Sequence, residues 1–300
     1  MLGDPEGNIS LNLLQLLVSS FYYRPIVIVG FGQVGKTTLH KTLIRHPEIA
    51  TLSGAKESPY FSKTASLIYD VEFSHRSAYL TRKLAVPKKR FFNTVRRLCF
   101  ETSIGPHFGL GGVIKALVLK GEIPFGKRHW CVQTFPDEMA YRCILTLYPQ
   151  AKFIYLTRNA ISAIHDQMNK KIRKSLEPDF SVHATKWAQS IERFRYLTKA
   201  DSAMHVSFEA LSDRSQETIN MIQKFIGVSN QPELYRHTQK LLSRPSPPKT
   251  IAGAADNYRI GAALSDSCRD IFNSWSEEFR IEFNKTCSHG MAELGYQIPE

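Results

Sequence analysis

The chain has 300 residues, an apolar fraction of 43% and a formal net charge of +12. Such a composition excludes a disordered or fibrous protein and leaves room for a sizeable core, and the length fits one large α/β domain over residues 1–300, or one domain with an appended helical lobe. The five cysteines (Cys99, Cys131, Cys143, Cys268 and Cys287) are scattered and lack C-x-x-C spacing, so they read as buried thiols of a reducing compartment, with neither a disulfide framework nor a metal site. The basic surplus fits an acidic small molecule, a polyanion or a membrane surface as partner.

The chain opens on the acidic Met-Leu-Gly-Asp-Pro-Glu, and the ISLNLLQLLVSSFYY that follows is too short and too polar to span a bilayer. Leu11, Leu13, Leu14, Leu17 and Val18 share one helical face, which predicts a packing helix within residues 1–24, with weak membrane association as the alternative. No other stretch is apolar enough to span, so a cytoplasmic protein without a transmembrane segment is expected.

Ile26-Val27-Ile28-Val29-Gly30 then reads as a buried parallel strand. It runs into Gly30-Phe31-Gly32-Gln33-Val34-Gly35-Lys36-Thr37, which fits G-x-x-x-x-G-K-[ST], and a helical pattern follows through Leu39, Leu43 and Ile44. Strand, glycine loop, lysine and helix start come in the order a phosphate cradle requires. The loop N–H groups and the unpaired N–H groups of the first helical turn converge on one spot and favour an anion there. Lys36 adds a point charge, and Thr37 or Thr38 a hydroxyl.

A short segment at Ile49–Leu52 follows. Residues 62–128 alternate helical patterns with glycine-rich connections and read as a helical insertion. Strands are predicted at Trp130–Thr134, Lys152–Thr157 and His205–Phe208, with Arg158 at the carboxyl end of the second. Helices are predicted from Pro136 through Leu147, from Arg158 to about Lys174, from His183 to Lys199 with Trp187, Ile191, Phe194 and Leu197 on one face, and twice more to about Leu242. Residues 244–263 form an irregular connection that opens on Arg244-Pro245-Ser246-Pro247-Pro248-Lys249, and a final amphipathic helix carries Ile271, Trp275, Phe279 and Met291. Alternating strands and helices imply a three-layer α/β fold, a central parallel β-sheet flanked by helices and wound by right-handed crossovers. Ligands of such sheets bind outside the carboxyl ends of the strands, where the glycine loop, Thr134 and Arg158 all fall.

Taken together these blocks resemble the P-loop sulfotransferases that use 3′-phosphoadenosine-5′-phosphosulfate (PAPS), of the carbohydrate and small-molecule type. PIVIVGFGQVGKTTLHKTLIRHPEI is similar to that family's 5′-phosphosulfate loop and the helix after it. AKESPYF resembles its K-E-x-x-[FY]-F segment, and VQTFPDEMAYRCILTLYPQAKFIYLTRNAISAIHDQM its 3′-phosphate region. HATKWAQSIERF, VSFEALSDRSQETINMIQKFIGV and the closing Glu293-Leu294-Gly295-Tyr296 resemble later blocks.

The resemblance implies a sulfuryl transfer from PAPS, the co-substrate, to a hydroxyl or amine of a small-molecule or glycan acceptor. It implies that Gly32, Gln33, Val34, Gly35, Lys36, Thr37 and Thr38 cradle the 5′-phosphosulfate. It implies that Glu57 is the general base, that Arg158 grips the 3′-phosphate, and that Arg259 is a second 3′-phosphate contact.

Two positions depart from the family's pattern. Its loop lysine or arginine falls at Gln33, which can donate a hydrogen bond and cannot neutralise charge; Lys36, three residues on, is the expected substitute at the bridging oxygen and the second catalytic candidate beside Glu57. Its 3′-phosphate serine falls at Asp166. A carboxylate about 4 Å from a phosphate charge costs on the order of 4 kcal/mol at an effective dielectric near 20. Asp166 therefore pairs with Lys170 or points away, with Ser162 supplying the hydroxyl, or else the donor lacks a 3′-phosphate.

A basic stretch (Arg82, Lys83, Lys88, Lys89, Arg90, Arg96 and Arg97) is interleaved with Phe91, Phe92 and Val95; it reads as a solvated helix face or as a seat for an acidic acceptor, and no nucleic-acid module surrounds it. His107 is a loop histidine or a substitute base, Trp187 a core residue or a border of the adenine. Two other readings stand beside the first. The full loop match also fits a kinase or NTPase using ATP and Mg²⁺, although the strand Phe153–Leu156 ends in Thr157-Arg158 where an aspartate is wanted, leaving only Asp70. Gln33 and Asp166 together also fit a non-catalytic protein that keeps the fold.

Overall fold

A computed structural model describes residues 24–51, 59–73, 87–104, 128–134, 138–172, 179–197, 201–243 and 264–298. The expected N-terminal helix, Glu57, His107, Arg259 and the connection at 244–263 lie outside the described residues. The chain divides into two compact units, each discontinuous in sequence. One comprises residues up to Val29, Leu43–Ile154 and Ile226–Ser229; the other comprises Gly30–Thr42, Tyr155–Phe225 and the residues from Asn230 onward.

The predicted parallel sheet is present, with helices flanking it. Its strands are β1 (Pro25–Gly30), β2 (Ile49–Thr51), β3 (His129–Gln133), β4 (Lys152–Thr157) and β5 (Ala203–Ser207), in the order β2-β3-β1-β4-β5. Ile26, Val27, Ile28 and Val29 are all fully buried, which is why β1 reads as an unbroken apolar run and not as an alternating one.

In the first unit, β1 pairs in parallel with β3, Ile26 opposite Cys131 and Ile28 opposite Gln133, and β2 pairs with the other edge of β3. The helices here are α2 (Pro59–Ala65), α3 (Tyr69–Glu72), α4 (Lys88–Ile104) and α5 (Glu138–Leu147). Phe61 of α2 packs edge-on against Trp130 at 5.7 Å between ring centroids, and Tyr148 meets the same tryptophan at 6.0 Å. The Tyr148 hydroxyl donates to the Arg96 carbonyl at 2.9 Å, so the ring's one polar atom is satisfied inside an apolar cluster.

In the second unit, α1 (Lys36–Leu43) leaves the glycine loop, and α6 (Ala160–Ile172), α7 (Phe180–Leu197), α8 (Phe208–Asp213), α9 (Ser215–Ile226), α10 (Glu233–Leu242), α11 (Leu264–Ser274) and α12 (Glu277–Glu293) follow. Two boundaries differ from expectation. Phe208 opens α8 instead of closing β5, because the Ser207 side chain accepts the Ala210 N–H and caps a helix there. The expected single closing helix is two helices, because the Ser276 side chain accepts the Phe279 N–H and starts a new N-terminus just after Trp275. Helices α7 and α12 lie close enough that a side chain on Gly290 would come within 2.9 Å of the Trp187 ring.

Among the described residues, no helix is long and apolar enough to cross a membrane.

Candidate functional site

The second unit contains both halves of the expected anion site. The loop between β1 and α1 is held in backbone conformations that exclude most side chains. Gly30 has φ +147°, and a Cβ there would sit 2.3 Å from the Leu156 carbonyl oxygen of β4. Gly35 has φ +87°, and its missing side chain makes room for the Phe208 ring, 2.5 Å from where a Cβ would lie. Gln33 sits at φ +61° without being glycine, a conformation that costs about 1–2 kcal/mol and that the surrounding contacts must enforce.

Arg158, immediately after β4, supplies one such contact. Its Nη1 donates to the Gln33 carbonyl at 2.9 Å. The same nitrogen donates to Asp166 Oδ2 at 2.6 Å, and the guanidinium carbon lies 4.8 Å from the centre of the Phe208 ring. The arginine side chain is only 6% exposed and Asp166 26%. A guanidinium that deep needs a counter-charge, and Asp166, two helical turns along α6, provides it. The expected Asp166–Lys170 pairing is thus replaced by a bond to Arg158. Spacing along one helix favours Lys170, but a buried cation outcompetes an exposed one for the carboxylate.

The cluster is set by its neighbours. Asn159 caps α6 by accepting the Ile161 N–H on its side chain, and the Asn159 N–H donates to Glu209. Tyr296 donates its hydroxyl to the other oxygen of Glu209 at 2.7 Å, and burial and that carboxylate push the phenol pKa up. Trp187 is buried and its Nε1 donates to the Arg158 carbonyl at 3.2 Å, which makes it a core residue that also anchors the arginine's backbone. Burial lowers the pKa of His165, next to Asp166 in sequence; the Asp166 carboxylate opposes that shift and Arg158 adds to it.

The remaining candidates take the following places. Lys36 is buried at the first position of α1, and its Nζ donates to the Gly30 carbonyl at 2.8 Å, folding the lysine back over its own loop. Val34 is buried beside Gly30, whereas Thr37 is exposed and Thr38 half-buried. The Gln167 side chain lies against Gly32, its Nε2 within 1.7 Å of where a Cβ would be. Ser162 is buried, with its hydroxyl 3.2 Å from the Cys268 thiol of α11. Burial raises the pKa of that thiol. In the first unit, Thr134 is buried and its hydroxyl pairs with Ser62 at 2.8 Å. Of the basic stretch, Lys88 pairs with Glu72 at 2.5 Å, Arg96 bonds the Leu147 carbonyl, and Lys89 and Arg90 are exposed.

Two residues that shape the cluster escape sequence reasoning, Gln167 and Phe208. Nothing in their spacing marks them; the only hint is indirect, since glycines at 32 and 35 imply that something large sits against each.

A strand, a positive-φ glycine loop, a helix start and a buried arginine thus come together in one cluster. Residues 25–232 match the model of the sulfotransferase family. The chain belongs to that family. No curated protein matches it in sequence. Among solved structures it is similar to the sulfotransferase domain from the Synechococcus PCC 7002 olefin synthase, with 17% identity, 92% of this chain and 96% of that one covered, and a TM-score of 0.53. It is likewise similar to mouse sulfotransferase SULT7A1 complexed with PAP, at 13% identity, 94% and 91% coverage and a TM-score of 0.52. The sulfotransferase domain from the curacin biosynthetic pathway follows at 15% identity, 91% and 98% coverage and a TM-score of 0.50. At these identities the likeness carries the fold.

Proposed function

We propose that this transferase moves a sulfuryl group from PAPS to a hydroxyl or amine of a small-molecule or glycan acceptor. The observation that carries the proposal is the 2.9 Å bond from Arg158 to the Gln33 carbonyl, which joins the arginine after β4 to the glycine loop after β1 in one cluster. On this reading Gly32–Thr38 hold the 5′-phosphosulfate through backbone N–H groups and Lys36, while Arg158, bonded to Asp166, faces the 3′ side.

The acceptor oxygen or nitrogen attacks sulfur, the bond from sulfur to the bridging oxygen breaks, and Glu57 takes the acceptor's proton. Charge grows on the bridging oxygen as it leaves. Lys36 leaves the Gly30 carbonyl and meets that charge, in the role the family gives to a basic residue at position 33. The free, buried state of all five cysteines fits the cytoplasm as its setting.

A kinase reading needs an acidic residue at a strand end. Asp70, the substitute available in the sequence, lies in helix α3, which weighs against it. Thermal unfolding with adenosine 3′,5′-bisphosphate, with Mg-ATP and with buffer alone tests the choice. Ligand at about 100 times its Kd stabilises by roughly 2.7 kcal/mol. Stabilisation by the bisphosphate is the expected result. A response to Mg-ATP alone transfers the assignment to a kinase or NTPase, and no response to either leaves a non-catalytic member of the family.

A further inference from the structure

We propose that the nucleotide site of this protein does not select for a 3′-phosphate, so that adenosine 5′-phosphosulfate and PAPS bind it comparably. The inference rests on the nucleotide reading given above and concerns the half of the site around Arg158. On that reading the arginine faces the 3′ position of the ribose. Its charge is already spoken for inside the protein: Nη1 binds Asp166 Oδ2 at 2.6 Å and the Gln33 carbonyl at 2.9 Å, and the guanidinium lies against the Phe208 ring.

The arginine and the aspartate together carry no net charge. An arriving 3′-phosphate would meet the Asp166 carboxylate within reach of the same guanidinium that attracts it. Repulsion then cancels most of the attraction, because both act over similar distances in the same medium. A serine at this position leaves the arginine's full charge to the ligand; an aspartate does not. Ser162, the other hydroxyl on this helix, is buried against the Cys268 thiol. The 5′ half differs. On the same reading it holds its anion through backbone N–H groups, a helix start and Lys36. The site therefore keeps a grip on a 5′-phosphosulfate while treating a 3′-phosphate and a 3′-hydroxyl alike.

Isothermal titration of the full chain with adenosine 3′,5′-bisphosphate and with AMP, at one ionic strength, reads the selectivity directly. The expected preference for the bisphosphate over AMP is below about fivefold for the wild-type protein and about tenfold higher in Asp166→Asn and Asp166→Ser, each variant's fold being checked by its thermal unfolding; the preference, a ratio within one protein, cancels any change in loop geometry common to both ligands. Asn keeps the shape and removes the charge, so agreement of the two variants assigns the effect to charge. A wild-type protein that binds the bisphosphate more than about fivefold tighter than AMP overturns the proposal and leaves the sulfotransferase reading intact; it would mean that Asp166 swings away when the phosphate arrives. A preference unchanged in both variants also overturns it. Binding of neither nucleotide sinks the underlying reading along with it.

Discussion

Two clusters, one around Arg158 in the second unit and one around Trp130 in the first, each centre on a buried side chain and are held by different forces. Trp130, Phe61 and Tyr148 are essentially inaccessible and meet as aromatic rings, so their contribution scales with area removed from water and with packing. Arg158 and Lys36 are buried charges, each held by specific polar contacts, Arg158 to the half-buried Asp166 and Lys36 to the Gly30 carbonyl. Truncating a ring leaves a hole, whereas removing one member of a charged pair leaves the other stranded. The aromatic cluster thus holds stability, and the charged cluster holds the candidate site, whose proposed chemistry depends on which partner each charge has taken.

The sharpest way to break that contrast is Trp130→Ala, which should cost about 3–5 kcal/mol in urea unfolding. If a fully folded variant keeps ligand binding unchanged, the division of labour stands; if stability barely moves, the cluster is not the core it is taken for. Next comes Lys36→Met. Turnover should fall by about 10²–10³-fold. Stability should fall by about 1.5–3 kcal/mol, the worth of a hydrogen bond made by a charged group, here to the Gly30 carbonyl. Intact turnover would remove Lys36 from the mechanism.

Acid should act on the first unit. Burial lowers the pKa of His129 to about 4, and its Nδ1 donates to the Arg24 carbonyl, a contact that pushes the other way. The unfolded chain takes up that proton near pH 6.5 and the folded one only near 4, so stability falls as pH drops through this window, by up to about 3 kcal/mol. Urea titrations at pH 7 and pH 4.5 should show it, and His129→Gln should flatten it. The smallest effect sharpens the comparison at the loop. Gln33→Gly relieves a left-handed residue and should stabilise by up to about 1 kcal/mol, while leaving the carbonyl that Arg158 bonds in place. Destabilisation would show that the Gln33 side chain itself supports the loop.

Much of the fold is legible in the sequence. β1, β3 and β4 fall within a residue of their predicted bounds, because each is a buried parallel strand with an apolar centre. Helix ends are less legible: Ser207 and Ser276 each start a helix, and a serine in a polar stretch gives little warning that it will cap one. In the candidate site, the loop pattern from Gly30 to Thr37 and the arginine after β4 are both visible, since the loop is built from consecutive residues and strand ends converge by topology.

What the sequence determines by itself is what neighbours along the chain determine: a buried strand, a glycine turn that admits positive φ, a helix that starts at Lys36, and membership in the sulfotransferase family. Tertiary structure alone decided that Asp166 turns to Arg158 and not to Lys170, that Lys36 rests on the Gly30 carbonyl, and that Phe208 and Gln167 close over Gly35 and Gly32. The reason is that a charge chooses its partner by distance and burial in space, and neither quantity exists until strands and helices distant in sequence have packed together.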